Sequence, residues 1–202
     1  MTATHPSPRR AGPAGLAAPA PARQDRAMQP ATPATVPAQT AANRRFRLRD
    51  EAATRAFARA LRPHLGPGDV IALSGPIGAG KTAFARALIQ DALAVTGEIE
   101  DVPSPSFTLV QIYPTAQGEI WHADLYRLTG PRDCDELGLE QAFATAITLI
   151  EWPDRLGPDL PDRALSLAFA PGDAGEARIV EARAGDPRWA AILAALPEPG
   201  DD

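Results

Sequence analysis

The sequence predicts an α/β fold with a mainly parallel central sheet and an added antiparallel hairpin, on three observations. The first is Gly75-Pro76-Ile77-Gly78-Ala79-Gly80-Lys81-Thr82, which fits G-x-x-x-x-G-K-[ST], a loop whose backbone N–H groups wrap the phosphates of a nucleotide. The second is the setting of that loop. Asp69-Val70-Ile71-Ala72-Leu73-Ser74 is a short apolar run suited to a buried parallel strand, and Ala83-Phe84-Ala85-Arg86-Ala87-Leu88-Ile89 continues as a strong helix former. The third is Ile147-Thr148-Leu149-Ile150 ending on Glu151. A buried parallel strand of this kind delivers its acid at the C-terminal end, where α/β sheets place their ligands.

Taken in order, residues 1–43 hold eight Pro and thirteen Ala and almost no larger apolar side chain. Such a stretch cannot bury a core, so a disordered extension is expected, followed by one domain over 44–202. The extension has neither the apolar centre of a signal peptide nor the amphipathic face of a transit peptide. Arg45-Phe46-Arg47-Leu48 alternates, and Asp50 is placed to cap a helix over Glu51–Leu61. Pro63 to Gly68 breaks that helix, and a second runs from about Lys81 to Leu93. The prolines of Val102-Pro103-Ser104-Pro105-Ser106 forbid a regular element. Phe107–Tyr113 reads as a strand, Pro114–Gly118 as a turn and Glu119–Tyr126 as a returning strand, with His122 and Asp124 on one side. Helical pieces are expected over Cys134–Leu137 and Glu140–Ala146. The chain closes with strands near Ala164–Phe169 and Arg178–Ala182 and a helix from Pro187 to about Leu196 capped by Asp186.

Charge narrows the function classes. The 202 residues carry a formal net charge of −5, but the first 43 hold four Arg and one Asp, so residues 44–202 have 16 basic and 24 acidic side chains, a net charge of −8. A domain that holds a nucleic acid by itself shows the opposite balance, so direct RNA or DNA binding is not expected. The single cysteine, Cys134, sits between Asp133 and Asp135, which disfavour its thiolate, and the composition suits a reducing cytoplasm. No apolar run approaches the ~20 residues that span a bilayer.

The chain's only Lys is Lys81. Arg is used everywhere else, so a compact ammonium is required where a planar guanidinium would not fit the phosphates. Gly75, Ile77, Gly78, Ala79, Gly80, Lys81, Thr82 and Ala83 are accordingly the candidate nucleotide-binding residues. In such loops the Lys reaches the β and γ phosphates and the Thr hydroxyl goes to Mg²⁺. Glu151 is the candidate acidic Mg²⁺ partner, and Asp124 orients water or shares the metal. Ser104 and Ser106 sit where many P-loop proteins keep a γ-phosphate switch, or are turn residues. Trp152 packs over the site or fills the core, the commoner fate. Arg127 stabilises phosphate or pairs at the surface, and His64 and His122 lack metal-ligand spacing.

These pieces, in this order, resemble the TsaE (YjeE) family: the helix carrying Thr54, the loop Gly78–Thr82, Ser104-Pro105-Ser106-Phe107-Thr108, His122-Ala123-Asp124-Leu125-Tyr126-Arg127-Leu128 and Ile150-Glu151-Trp152-Pro153. The resemblance spans about Arg45–Ala170, and the last two strings are far more specific than the loop. It implies a three-layer P-loop NTPase-like fold and a role in making N6-threonylcarbamoyladenosine (t6A) on tRNA. Family members of this kind hydrolyse ATP beside a TsaD-like transferase and its TsaB-like companion, which would hold the tRNA. The resemblance makes the bound nucleotide ATP/ADP. By motif, Lys81 and Thr82 become phosphate and Mg²⁺ residues, Glu151 the Mg²⁺ acid, Asp124 the catalytic acid, and Thr54, Ser106 and Trp152 neighbours of the nucleotide. Pro76-Ile77 stands where the family usually has Asp-Leu, Ser106 replaces a Thr, and the long extension has no counterpart.

Three readings stay open at this point. One is an Mg²⁺-dependent ATPase coupled to the tRNA-modifying complex. Another is a small-molecule kinase with Asp124 as base, against which stands the lack of an Arg-rich lid, since 131–146 holds only Arg132. The third is a nucleotide-gated binding module without essential turnover.

Overall fold

The computed structural model describes residues 42–97, 101–173 and 175–198, so all but Ala42 and Asn43 of the expected extension lies outside the described residues. Strand β1 (Ala42–Leu48) leads into helix α1 (Glu51–Leu61), where the Asp50 carboxylate accepts from the Ala53 N–H at 2.8 Å, the expected cap. One 3₁₀ turn over Arg62–His64 leads to β2 (Val70–Ser74), and the phosphate loop leads to α2 (Lys81–Ala94). Strands β3 (Val110–Thr115) and β4 (Gly118–Asp124) form the hairpin. Short helices α3 (Pro131–Cys134) and α4 (Leu139–Thr145) precede β5 (Ile147–Glu151). Strands β6 (Leu165–Pro171) and β7 (Arg178–Ala184) and helix α5 (Arg188–Ala195) complete the described chain.

The seven strands make one sheet in the order β1-β7-β6-β2-β5-β4-β3. Its centre, β6-β2-β5-β4, is parallel throughout, with Leu73 opposite Glu151 and Asp124 opposite Glu151. Antiparallel pairing closes both flanks, through β3 on one side and β7 with β1 on the other. The fold is α/β and P-loop NTPase-like. Period-2 alternation divides the core between two faces. Ile71, Leu73, Ile147 and Leu149 join Phe57, Phe84 and Leu88 of α1 and α2, whereas Val70 and Ile150 join Cys134, Leu139 and Phe143 from the other side. Three layers follow. Phe46, Phe57, Phe84 and Phe169 run as a chain of tilted rings 4.7, 5.6 and 5.7 Å apart, locking β1, α1, α2 and β6 together; each such buried ring is worth about 1.5–3 kcal/mol in apolar transfer.

Four local expectations shift. The strand expected at Phe107 starts at Val110, because Leu109 takes a left-handed φ of 66° and its N–H turns back to the Pro105 carbonyl at 2.6 Å. Pro114, expected in the turn, lies in β3 opposite Glu119, leaving Ala116-Gln117 as a two-residue loop. Only an edge strand tolerates this proline, since no ladder donor is lost there. Strand β4 ends at Asp124 rather than Tyr126, because the Asp124 carboxylate accepts the Tyr126 N–H at 3.0 Å and turns the chain. At the far end α5 begins one residue after the expected Pro187, with the Asp186 carboxylate accepting from Arg188 N–H at 2.9 Å.

Candidate functional site

The parallel strands β2, β5 and β4 end side by side, and the residues that follow or close them form the site. The loop after β2 is held down by a close backbone approach: Gly75 has φ +128°, and a Cβ there would lie 2.2 Å from the Phe169 carbonyl oxygen of β6. Only glycine fits. Gly80, at φ +104°, turns the chain into α2, whose first turn carries Lys81, Thr82 and Ala83. The N-terminal N–H groups of a helix are a ready anion site.

Facing the loop is a wall made of side chains. The Thr82 hydroxyl donates to Glu151 Oε2 at 2.8 Å, joining the first turn of α2 to the end of β5. The other carboxylate oxygen of Glu151 lies 3.0 Å from His122 Nε2. On the neighbouring strand Asp124 accepts from the Ser106 hydroxyl at 2.6 Å, and Ser106 in turn contacts Ser104 at 2.8 Å. Glu151, Asp124 and His122 are all buried, at 2%, 5% and 0% exposure. Buried polar groups of this kind persist when each finds a partner.

Lys81 lies between the two sides. Its ammonium donates to the carbonyls of Gly75 at 2.8 Å and Pro76 at 2.9 Å and sits 4.3 Å from the centroid of the Trp152 ring. Burial lowers its pKa from the usual lysine value, while Glu151 and Asp124 pull it back up. Trp152 is half-buried, with its ring beside Lys81 and packed against the second core cluster as well. Its φ of 61° is left-handed, a conformation costing about 1–2 kcal/mol for a residue with a Cβ. Its N–H bond to the Leu73 carbonyl and its tilted contact with Tyr126, 5.0 Å between centroids, accompany that geometry.

Thr54 of α1 joins Gly78, Gly80, Lys81, Thr82 and Ala83 in lining a cleft of about 310 Å³. The Thr54 side chain is buried with its hydroxyl on the Asp50 carbonyl. Ala79 is buried, and Ile77, 74% exposed, forms the loop tip. Arg127 is exposed and lies 5.8 Å over the Phe107 ring. Glu51, Glu176 and Arg178 complete the cleft and carry no sequence signal. Arg178 opens β7, and only the folding of the β6–β7 hairpin over the loop brings its side chain within 3.8 Å of where a Gly80 Cβ would sit. His122 was expected to have no partner of metal-site spacing; its partner is Glu151, and the shared side of His122 and Asp124 on β4 was the one hint. Cys134 is buried, and burial followed by Asp133, Asp135 and Asp159 raises its pKa, so the thiol is not activated. Among the described residues no helix is long and apolar enough to cross a membrane.

A family model described as "Threonylcarbamoyl adenosine biosynthesis protein TsaE" matches residues 48–179. The tRNA threonylcarbamoyladenosine biosynthesis protein TsaE of Rickettsia bellii is 41% identical over 114 residues, covering 56% of this chain and 77% of that protein. The protein of the same name from Haemophilus influenzae is 37% identical over 103 residues, 50% of this chain and 63% of that one. Among solved structures, YdiB of Bacillus subtilis aligns with a TM-score of 0.60 at 24% identity, over 77% of this chain and 94% of that one. That likeness shows the fold.

Proposed function

The chain belongs to the TsaE family, and on that premise we propose that it is a Mg²⁺-dependent ATPase supporting t6A modification of tRNA. The observation that carries the reading is the 2.8 Å bond between Thr82 and Glu151, residues 69 apart in sequence. Together they offer two hard oxygen donors beside a phosphate loop, the set Mg²⁺ takes when it completes its shell with phosphate oxygens and water. Held by Thr82 and Glu151, Mg²⁺ would supply charge neutralisation for the phosphate oxygens.

The chain's own groups divide the remaining work. Loop N–H groups and the Lys81 ammonium hold the phosphates, with Lys81 exchanging its two carbonyl partners for phosphate oxygens. Asp124, oriented by the Ser106 hydroxyl and the Tyr126 N–H, accepts the proton of the attacking water. Thr54 and Arg178 flank the bound nucleotide, and Trp152 closes over Lys81. The net charge of −8 over residues 44–202 supports a reading in which partners hold the tRNA, namely a TsaD-like transferase and its TsaB-like companion in the cytoplasm.

The test is ATP turnover with and without those subunits, beside t6A levels in a depletion strain complemented with wild type or Lys81→Ala. Weak turnover alone, abolished by Lys81→Ala and by Glu151→Ala, and loss of t6A with Lys81→Ala are expected. Normal t6A without the protein would sink the reading, and phosphate appearing on an added acceptor hydroxyl would turn it toward a kinase.

A further inference from the structure

The two oxygens of Glu151 are not equivalent. Oε2 accepts from Thr82, whereas Oε1 lies 3.0 Å from Nε2 of His122, whose other ring nitrogen, Nδ1, is buried with no hydrogen-bond partner among the described residues. That asymmetry selects the tautomer. With the proton on Nε2 the ring donates to the carboxylate, and Nδ1 is left as a bare lone pair. With the proton on Nδ1, a buried donor would go without an acceptor while two lone pairs faced each other across the contact.

We propose that His122 is a positioning residue whose Nε2–H pins Oε1 of Glu151, so that Oε2 stays turned toward Thr82 and the divalent cation. The inference rests on the reading of Thr82 and Glu151 as the Mg²⁺ partners and adds the group that orients them. A glutamate has three freely rotating side-chain bonds, and a carboxylate held at one oxygen presents the other without having to be ordered when the metal arrives. Sheet register makes the arrangement possible. Parallel pairing sets His122 opposite Leu149 and Asp124 opposite Glu151, so the alternating side chains of β4 bring both His122 and Asp124 to the Glu151 side.

Three variants separate donation from bulk. His122→Gln places an amide N–H near the position of Nε2, His122→Asn near that of Nδ1, and His122→Leu removes both. For each, ADP affinity is measured with Mn²⁺ and in EDTA, and the ratio reports the metal. The ratio is expected to fall about 10–100-fold in the Asn and Leu variants and to stay within about threefold of wild type in the Gln variant, with EDTA affinities unchanged. A wild-type ratio in the Leu variant, or equal losses in Gln and Leu, overturns the proposal. Independently of any variant, the ¹⁵N spectrum of wild-type imidazoles is expected to show His122 protonated at Nε2 only, and a proton on Nδ1 instead overturns it. A wild-type ratio near one would instead remove the metal reading itself, and this inference with it, whereas a large wild-type ratio with flat variants sinks the role of His122 alone.

Discussion

The two sides of the site are built on different principles. The phosphate loop is one contiguous stretch whose useful atoms are backbone N–H groups, and its shape depends on glycines at 75, 78 and 80 with positive φ. The opposite side is assembled from Ser106, His122, Asp124 and Glu151, which come from a loop and two strands, and its useful atoms all belong to side chains. A backbone site tolerates replacement wherever backbone geometry survives, which is why Pro76-Ile77 can stand in the loop. A side-chain site tolerates almost none, since each group is another's hydrogen-bond partner.

That contrast is open to attack at four points. The largest effect is expected at Asp124→Asn, which keeps an acceptor for Ser106 but loses the base: turnover should fall on the order of 10²–10⁴-fold while ADP affinity stays as in wild type. A comparable loss of ADP affinity would mean that the acid side also binds. Next comes Gly75→Ala, whose methyl meets the Phe169 carbonyl. Urea unfolding should show a loss of about 3 kcal/mol, and full stability would show that the loop is less tightly set than its geometry implies.

Lys81 gives a third, smaller test, through pH. Its folded pKa is lowered, chiefly by burial, so between the folded and unfolded values the unfolded chain binds more protons and stability rises with pH. The stability of wild type relative to Lys81→Met should therefore increase as pH climbs from neutrality toward 10.5, the ordinary lysine value, and level off above it. A difference independent of pH would show that the carbonyls and Trp152 offset the burial of the charge in full. The smallest effect is expected at the exposed loop tip, where Ile77→Ser should change unfolding free energy by no more than about 0.5 kcal/mol and leave ADP affinity unaltered.

Much of the fold was legible because its signals are local. The apolar run before the loop, the Asp50 cap and the run ending on Glu151 each specify an element within a few residues. Element ends were less legible where one residue decided them. Leu109 in a left-handed turn delays β3, and Pro114 is admitted to β3 because that strand lies at the sheet's edge, a position no local pattern reveals. In the site, Lys81, Thr82, Asp124 and Glu151 could be picked out by residue type and place, but the partner of His122 and the presence of Arg178 in the cleft could not.

By itself, then, the sequence determined the strand–loop–helix unit, the glycines that shape the loop, the lone lysine and the acids at the ends of two strands, because contiguous residues and their backbone preferences suffice for each. The tertiary structure alone decided which acid meets Thr82, that His122 holds the far oxygen of that acid, that Trp152 covers Lys81, and that the β6–β7 hairpin supplies Arg178. The physical reason is strand order. Residues far apart in the chain become neighbours only once β2 lies between β6 and β5, with β4 beyond β5, and that order is set by packing on both faces of the sheet.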